Sequence, residues 1–221
     1  MSASLAKRLS LPASVRTNEY TMKLFISPIS PYVRKCVAVG ILKGLDDKIE
    51  KVRAKDIGVD IGTLNPLSKV PTLMTDDGQT LIESSLICQY FDDIGNGRKL
   101  YGDSVATRRR LQQIEAIGQG VLDAAVACRM EVREHPLEKQ SAAWLERQGE
   151  KVTRGLAAIE SLLGEIGPEL GIPHITFACM LFFVDQHKVL PSWRERYPKL
   201  ADWYARTRSH PALAKTEPKV D

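Results

Sequence analysis

Residues 27–36 read SPISPYVRKC, and within them Ser30 is the side chain best placed to do chemistry. With Pro31 opening a helix, Ser30 is its N-cap, and the hydroxyl then accepts from a backbone N–H one turn on. That alone accounts for the Ser-Pro order. The same position faces the positive end of the helix, so a thiolate set there would gain both the helix dipole and a donated hydroxyl proton. A free thiol ionises near ~8.5, so modest stabilisation makes it mostly thiolate at neutral pH. Ser27 and Tyr32 are weaker rivals, because Tyr32 falls inside the helix, where packing is expected. Cys36 lies nearly two helical turns beyond Ser30 and is no substitute.

Two further pairs carry chemistry. Pro71 begins an apolar run and cannot donate to a strand ladder, so Val70-Pro71 belongs at a sheet edge or turn. Glu83-Ser84 stands where a strand gives way to a helix; Ser84 is a fitting N-cap, and the same exposed N–H groups and hydroxyl make an anion site. Lys69, beside Val70, is either a solvated cation or a partner for a nearby anion. Cys36, Cys88, Cys128 and Cys179 show no CxxC and no paired histidines, which implies neither a metal site nor a disulfide framework. Such cysteines fit a reducing cytoplasm.

The elements that position these residues follow from pattern. Lys23–Ser27 reads as a strand and residues 31–43 as a helix with Val33, Val37, Ile41 and Leu42 on its apolar stripe. Gly44 and Leu45 suit a C-terminal cap with its hydrophobic contact. KIEKVRA alternates as a second strand. VPTLMTDDGQTLIES splits into a hairpin at Asp77-Gly78, and a helix follows with Leu86, Ile87, Tyr90, Phe91 and Ile94 on one face. GNGRKLYGD, residues 95–103, reads as a linker. Beyond it residues 105–133, 138–166, 172–188 and 197–208 are helical, with the run Phe177–Val184 buried on all sides.

The chain has 221 residues, 43% hydrophobic and 26% charged, enough to bury one or two cores and too apolar for disorder. Its longest apolar run is far short of the ~20 residues a membrane span needs. Of the net charge of +4, residues 1–21 supply two through Lys7, Arg8 and Arg16 against Glu19, which leaves no basic stripe for nucleic acid. Those first residues read as an N-terminal extension, with a targeting segment or a start assigned ahead of Met22 as the other readings.

From Met22 to Pro218 the sequence resembles the cytosolic glutathione S-transferase family, of a serine-type, bacterial-like kind. The likeness is densest in NPLSKVPTLMTDDGQTLIESSLICQYFDD, where Asn65-Pro66, Val70-Pro71, the Asp-Gly hairpin and Glu83-Ser84 fall in the family's order. It implies an α/β thioredoxin-like N-terminal domain over residues 22–98 plus an all-α helix-bundle C-terminal domain over residues 104–218. Aligned on SPISPYVRK, Ser30 matches the active-site serine of the serine-type classes. In thioredoxin-like domains the bond matching Val70 to Pro71 is cis, which leaves the Val70 backbone free to pair with a short peptide such as glutathione. The resemblance further implies that Glu83 and Ser84 hold the γ-glutamyl end and that Lys69 approaches the glycine carboxylate. The acceptor site would lie near Arg129, Met130 and Arg133, and the family's two-fold dimers imply a cytoplasmic homodimer.

The expected activity is therefore conjugation of the glutathione thiolate, stabilised by Ser30, to a hydrophobic electrophile. A non-catalytic binding or stress-associated protein on the same fold and a glutathione-dependent isomerase are the alternatives. Reduction through this site is disfavoured, since serine forms no mixed disulfide. Two positions depart from the family. Gln119 stands where many relatives place Asp, and Gly171 with His174 replace the Ser/Thr and Asp that cap the buried helix. Loss of that reciprocal cap is expected to weaken the helix start by about 1 kcal/mol. His174 reads as local structure, and His135, His187 and His210 show no partner pattern.

Overall fold

The computed structural model describes residues 21–219. The extension reading of residues 1–21 lies, Thr21 apart, outside the described residues.

Four short strands, β1 (Met22–Phe25), β2 (Ile49–Val52), β3 (Thr72–Met74) and β4 (Thr80–Ile82), form one sheet in the order β2-β1-β3-β4. β1 runs parallel to β2 and antiparallel to β3, and β3 pairs antiparallel with β4. The parallel pair needs a crossover, and α1 (Pro31–Leu42) supplies it. Leu24 and Phe25 point to opposite faces of the central strand and neither is exposed, so the sheet is covered on both sides. With α2 (Ser84–Ile94) this is the thioredoxin-like arrangement that the resemblance implies.

α1 ends as its sequence dictates. Gly44, at φ +65°, lets its own N–H reach Ile41 O while the Leu45 N–H reaches Gly40 O, and Leu45 is buried against the helix it closes. α2 turns differently from the expected face. Ile87, Cys88 and Phe91 are buried, whereas Leu86 and Ile94 are each 47% exposed. Their spacing of eight puts them on a ridge beside the buried one, so a stripe spanning all five apolar residues was too wide.

The linker is a pinned segment. Asp92 accepts from the Leu100 N–H at 2.8 Å and the Tyr101 N–H at 3.1 Å, and Lys43, paired with Asp92 at 3.0 Å, donates to Arg98 O. The helical part comprises α3 (Val105–Glu134), α4 (Ala142–Leu162), α5 (Ile172–Gln186), α6 (Trp193–Arg196), α7 (Pro198–Thr207) and α8 (Pro211–Lys215). α4 is shorter than expected at both ends: Leu137–Lys139 forms a separate tight turn after Pro136, and Gly167 adopts φ +73° beyond its end. α6 and α8 are too short for periodicity to reveal.

α3 packs closely on both neighbours because glycine stands at each crossing. A Cβ at Gly155 would lie 2.1 Å from Val121 Cγ2, and one at Gly118 would lie 2.6 Å from the Phe177 ring. α5 is buried at every residue from Ile172 to Leu181. Its start corrects one expectation. Gly171 has no side chain to contribute, but its N–H donates to His174 Nδ1 at 3.3 Å, and His174 Nε2 meets Gly167 O at 3.1 Å. Half of the reciprocal cap survives, with imidazole in place of carboxylate.

Candidate active site

Ser30 is the N-cap of α1, with φ −76° and ψ 120°, and its Oγ accepts from the Val33 N–H at 3.3 Å. A hydroxyl that accepts from the backbone keeps its own proton to donate. The loop before it is held by the Ser30 N–H on Ser27 O at 3.1 Å. The half-buried hydroxyl therefore offers a donor at the positive end of a helix.

The Val70–Pro71 peptide bond is cis. Asn65, 2% exposed, fixes the turn leading to it: Nδ2 donates to Lys69 O and Thr72 Oγ1, and Oδ1 accepts from the Leu67 N–H. Val70 and the Ile26–Pro28 loop line a cleft of about 510 Å³ together with Arg53, Ala54, Lys55, Val59, Asp60 and Ile61. The Lys69 side chain is exposed, and Arg53 and Lys55 are the cations that line this cleft. Arg53 Nε pairs with Asp56 at 2.6 Å. Sequence reasoning passed over both, although the basic run KVRAK at the end of β2 is their signal.

At the start of α2 the N-cap is Glu83, not Ser84. Glu83 adopts φ +75°, a left-handed conformation that is strained for a residue with a Cβ, and its Oε2 accepts from the Ser85 N–H at 2.9 Å. Ser84 is already inside the helix, 2% exposed, with its hydroxyl donating to Glu83 Oε1 at 3.3 Å. Behind it Cys36 Sγ donates to Ser84 O at 3.6 Å, so Cys36 is part of the support and fully buried.

A buried polar cluster joins this turn to α3. Lys35 Nζ donates to Ser85 Oγ at 2.9 Å, Glu115 Oε1 at 3.1 Å and Gln119 Oε1 at 3.0 Å. The Tyr101 hydroxyl adds bonds to Ser85 O and Glu115 Oε1. Burial works against the Lys35 charge, but the negative groups around it outweigh that penalty and raise the pKa. Burial pushes the Cys88 thiol well up, which leaves it neutral at pH 7, so Glu115 is the partner that keeps Lys35 charged.

Tyr32 does more than pack. Its hydroxyl donates to Asp123 Oδ1 at 2.7 Å, and Gln119 Nε2 reaches the same oxygen at 3.3 Å. Burial, then the bond to Asp123, drives the Tyr32 pKa far up, so it is a phenol at any working pH. Met130 follows Asp123 by two turns of α3 on the same face and is 39% exposed. Arg129 turns toward α5, where burial and then its charge depress His187, and Arg133 is paired with Glu134. Of the three residues expected near the acceptor, Met130 is the one that shares the Tyr32 face.

Comparison with known proteins identifies the family. Residues 29–94 match the glutathione S-transferase N-terminal domain family and residues 142–206 the glutathione S-transferase C-terminal domain family. The chain is 29% identical to the uncharacterized GST-like protein YibF of Escherichia coli, over 89% of this chain and 98% of the relative. It is 28% identical to a maleylacetoacetate isomerase of Pseudomonas aeruginosa, over 70% of this chain and 74% of that protein. A glutathione transferase family member from Pseudomonas fluorescens, crystallised with bound glutathione, superposes with a TM-score of 0.83 at 31% identity, covering 90% of this chain and 100% of that one. Two domain matches in the right order and a whole-length structural match above 30% identity lead to one conclusion: this chain belongs to the glutathione S-transferase family.

Proposed function

We propose that the protein is a glutathione transferase that uses Ser30 to stabilise the glutathione thiolate and joins that sulfur to a hydrophobic electrophile. The observation that carries this reading is the Ser30 hydroxyl capping α1, with its proton still to give, on the loop that shares a cleft with Val70. Glutathione would lie with its cysteine beside Ser30 and its backbone along Val70 and the cis Pro71. Its γ-glutamyl carboxylate would meet the first turn of α2 at Ser84, and its ammonium would meet Glu83. The glycine carboxylate would point toward Arg53 and Lys55, with Lys69 as a further cation.

In the reaction the glutathione S–H proton leaves to solvent, the thiolate pair forms the S–C bond, and the leaving group departs with its bonding electrons. Ser30 donates a hydrogen bond to sulfur throughout and is not itself altered. The acceptor would occupy the space between Tyr32 and Met130, and the working form would be a cytoplasmic homodimer.

Calorimetric titration of glutathione, with an analogue lacking the γ-glutamyl group as control, tests the core of this. Binding that depends on that group supports the cradle, and no binding at millimolar glutathione overturns it. A second reading, glutathione-dependent isomerisation, is favoured by the likeness to the isomerase of Pseudomonas aeruginosa. It uses the same thiolate, added to and then expelled from the substrate, and turnover of a cis-enedione without consumption of glutathione distinguishes it.

A further inference from the structure

Gln119 is a departure from the carboxylate expected in the family, and its contacts supply a reason. Its amide oxygen accepts from Lys35 Nζ at 3.0 Å, while its amide nitrogen donates to Asp123 Oδ1 at 3.3 Å. An ammonium only donates and a carboxylate only accepts, so the side chain between them must present an acceptor to one and a donor to the other. Glutamine does this. Aspartate or glutamate would serve Lys35 but set a second negative charge against Asp123.

The bonds continue on both sides. Toward α2, Lys35 Nζ holds Ser85 Oγ and Glu115 Oε1, which commits all three of its protons, and the Ser85 N–H holds Glu83 Oε2. Toward the start of α1, Asp123 receives the Tyr32 hydroxyl at 2.7 Å. Tyr32 stands two residues after Ser30 in the first turn of α1. A continuous run of contacts therefore leads from Glu83, through α3, back to the helix start where the thiolate would sit.

We propose that Gln119 is a positioning residue that couples the two halves of the site: it keeps Asp123, and with it Tyr32, in register with Lys35 and the first turn of α2. The coupling role rests on the glutathione reading above. Because the Tyr32 proton is committed to Asp123, the acceptor meets an aromatic ring and Met130 and not a free phenol. Gln119 thereby biases the space between Tyr32 and Met130 toward apolar acceptors.

The test uses the full chain with glutathione and 1-chloro-2,4-dinitrobenzene as the apolar acceptor. It compares the wild type with Gln119→Glu, Gln119→Leu, Tyr32→Phe and the pair Gln119→Glu/Tyr32→Phe. Gln119→Glu is expected to raise the acceptor KM by about threefold or more while the glutathione KM stays within about twofold, because Lys35 keeps its acceptor. Gln119→Leu, which serves neither neighbour, should raise both. Tyr32→Phe should add nothing in the Gln119→Glu background. Equal effects of Gln119→Glu on both KM values, or effects that multiply with Tyr32→Phe, overturn the proposal.

The same side chains are also compared without any ligand, by urea unfolding of Gln119→Leu, Tyr32→Phe and their combination. Non-additivity of about threefold or more in the unfolding equilibrium constant is expected, and additivity overturns the coupled chain whatever the activity. A wild type that binds no glutathione overturns the glutathione reading and the coupling role with it. The unfolding cycle separates that failure from a failure of the hydrogen-bonded chain itself.

Discussion

Lys43 Nζ lies 3.0 Å from Asp92 Oδ1, and each side chain is 1% exposed. The pair joins the end of α1 to the end of α2, and its spare valences are filled by backbone: Arg98 O on the lysine, and the Leu100 and Tyr101 N–H groups on the aspartate. A buried charge left without its partner is costly, so Asp92→Ala should destabilise the protein by about 3–5 kcal/mol. Replacing both by apolar residues, Lys43→Met with Asp92→Leu, should cost less than Asp92→Ala alone. Urea unfolding of the three proteins checks the order.

Ser30→Ala removes one hydrogen bond to the proposed thiolate and one helix cap. A bond to a charged group contributes ~1.5–3 kcal/mol, so turnover should fall by about 10- to 100-fold and the pH profile of kcat/KM should move up, as the thiol becomes harder to ionise. Glutathione affinity should change little. The cap loss alone costs about 1 kcal/mol of stability. Steady-state kinetics across pH, read beside a melting curve, separate the two, and unchanged turnover would sink the role given to Ser30.

Two glycines of the helical part should respond in opposite directions. At Gly155 a methyl group would sit 2.1 Å from Val121 Cγ2, so Gly155→Ala must push α4 from α3 and should cost about 1–3 kcal/mol. Gly120, in the middle of α3, has nothing within 4 Å of an added Cβ. Gly120→Ala should stabilise the protein by about 0.4–1 kcal/mol, through the smaller entropy of the unfolded chain. Thermal denaturation of both variants at one protein concentration decides this.

His174 links stability to pH. Burial holds its pKa below the ordinary histidine value, because its Nδ1 must stay unprotonated to accept from Gly171 and the ring is shut from water. The unfolded chain therefore takes up this proton more readily than the folded one. Stability from this residue is complete above the unfolded value of ~6.5 and declines as pH falls from there through the depressed folded value. His174→Asn, which can still accept from the Gly171 N–H, should flatten that slope; an unchanged slope in the variant would place the titration elsewhere.

Much of this was legible from short windows of sequence. Ser-Pro at 30–31 specifies an N-cap, Gly44-Leu45 a helix end, and Asp77-Gly78 a hairpin, because each is decided by bonds within one turn of chain. The order of the strands and of the longer helices follows from hydrophobic periodicity, and Ser30 at the start of α1 from the first of those signals. Tertiary structure decided the rest. Lys35 reads in sequence as one more surface lysine, and its partners Ser85, Glu115 and Gln119 lie 50, 80 and 84 residues away. Tyr32 finds Asp123 across 91 residues. No local window contains such a pair, and the burial that makes α1 hold two charged side chains inside comes only when α5 and the sheet close over it. Ser84 and Glu83 exchanged capping roles for the same reason: the bond that settles them depends on the left-handed turn of Glu83, a conformation fixed by the fold around it and not preferred by its own side chain.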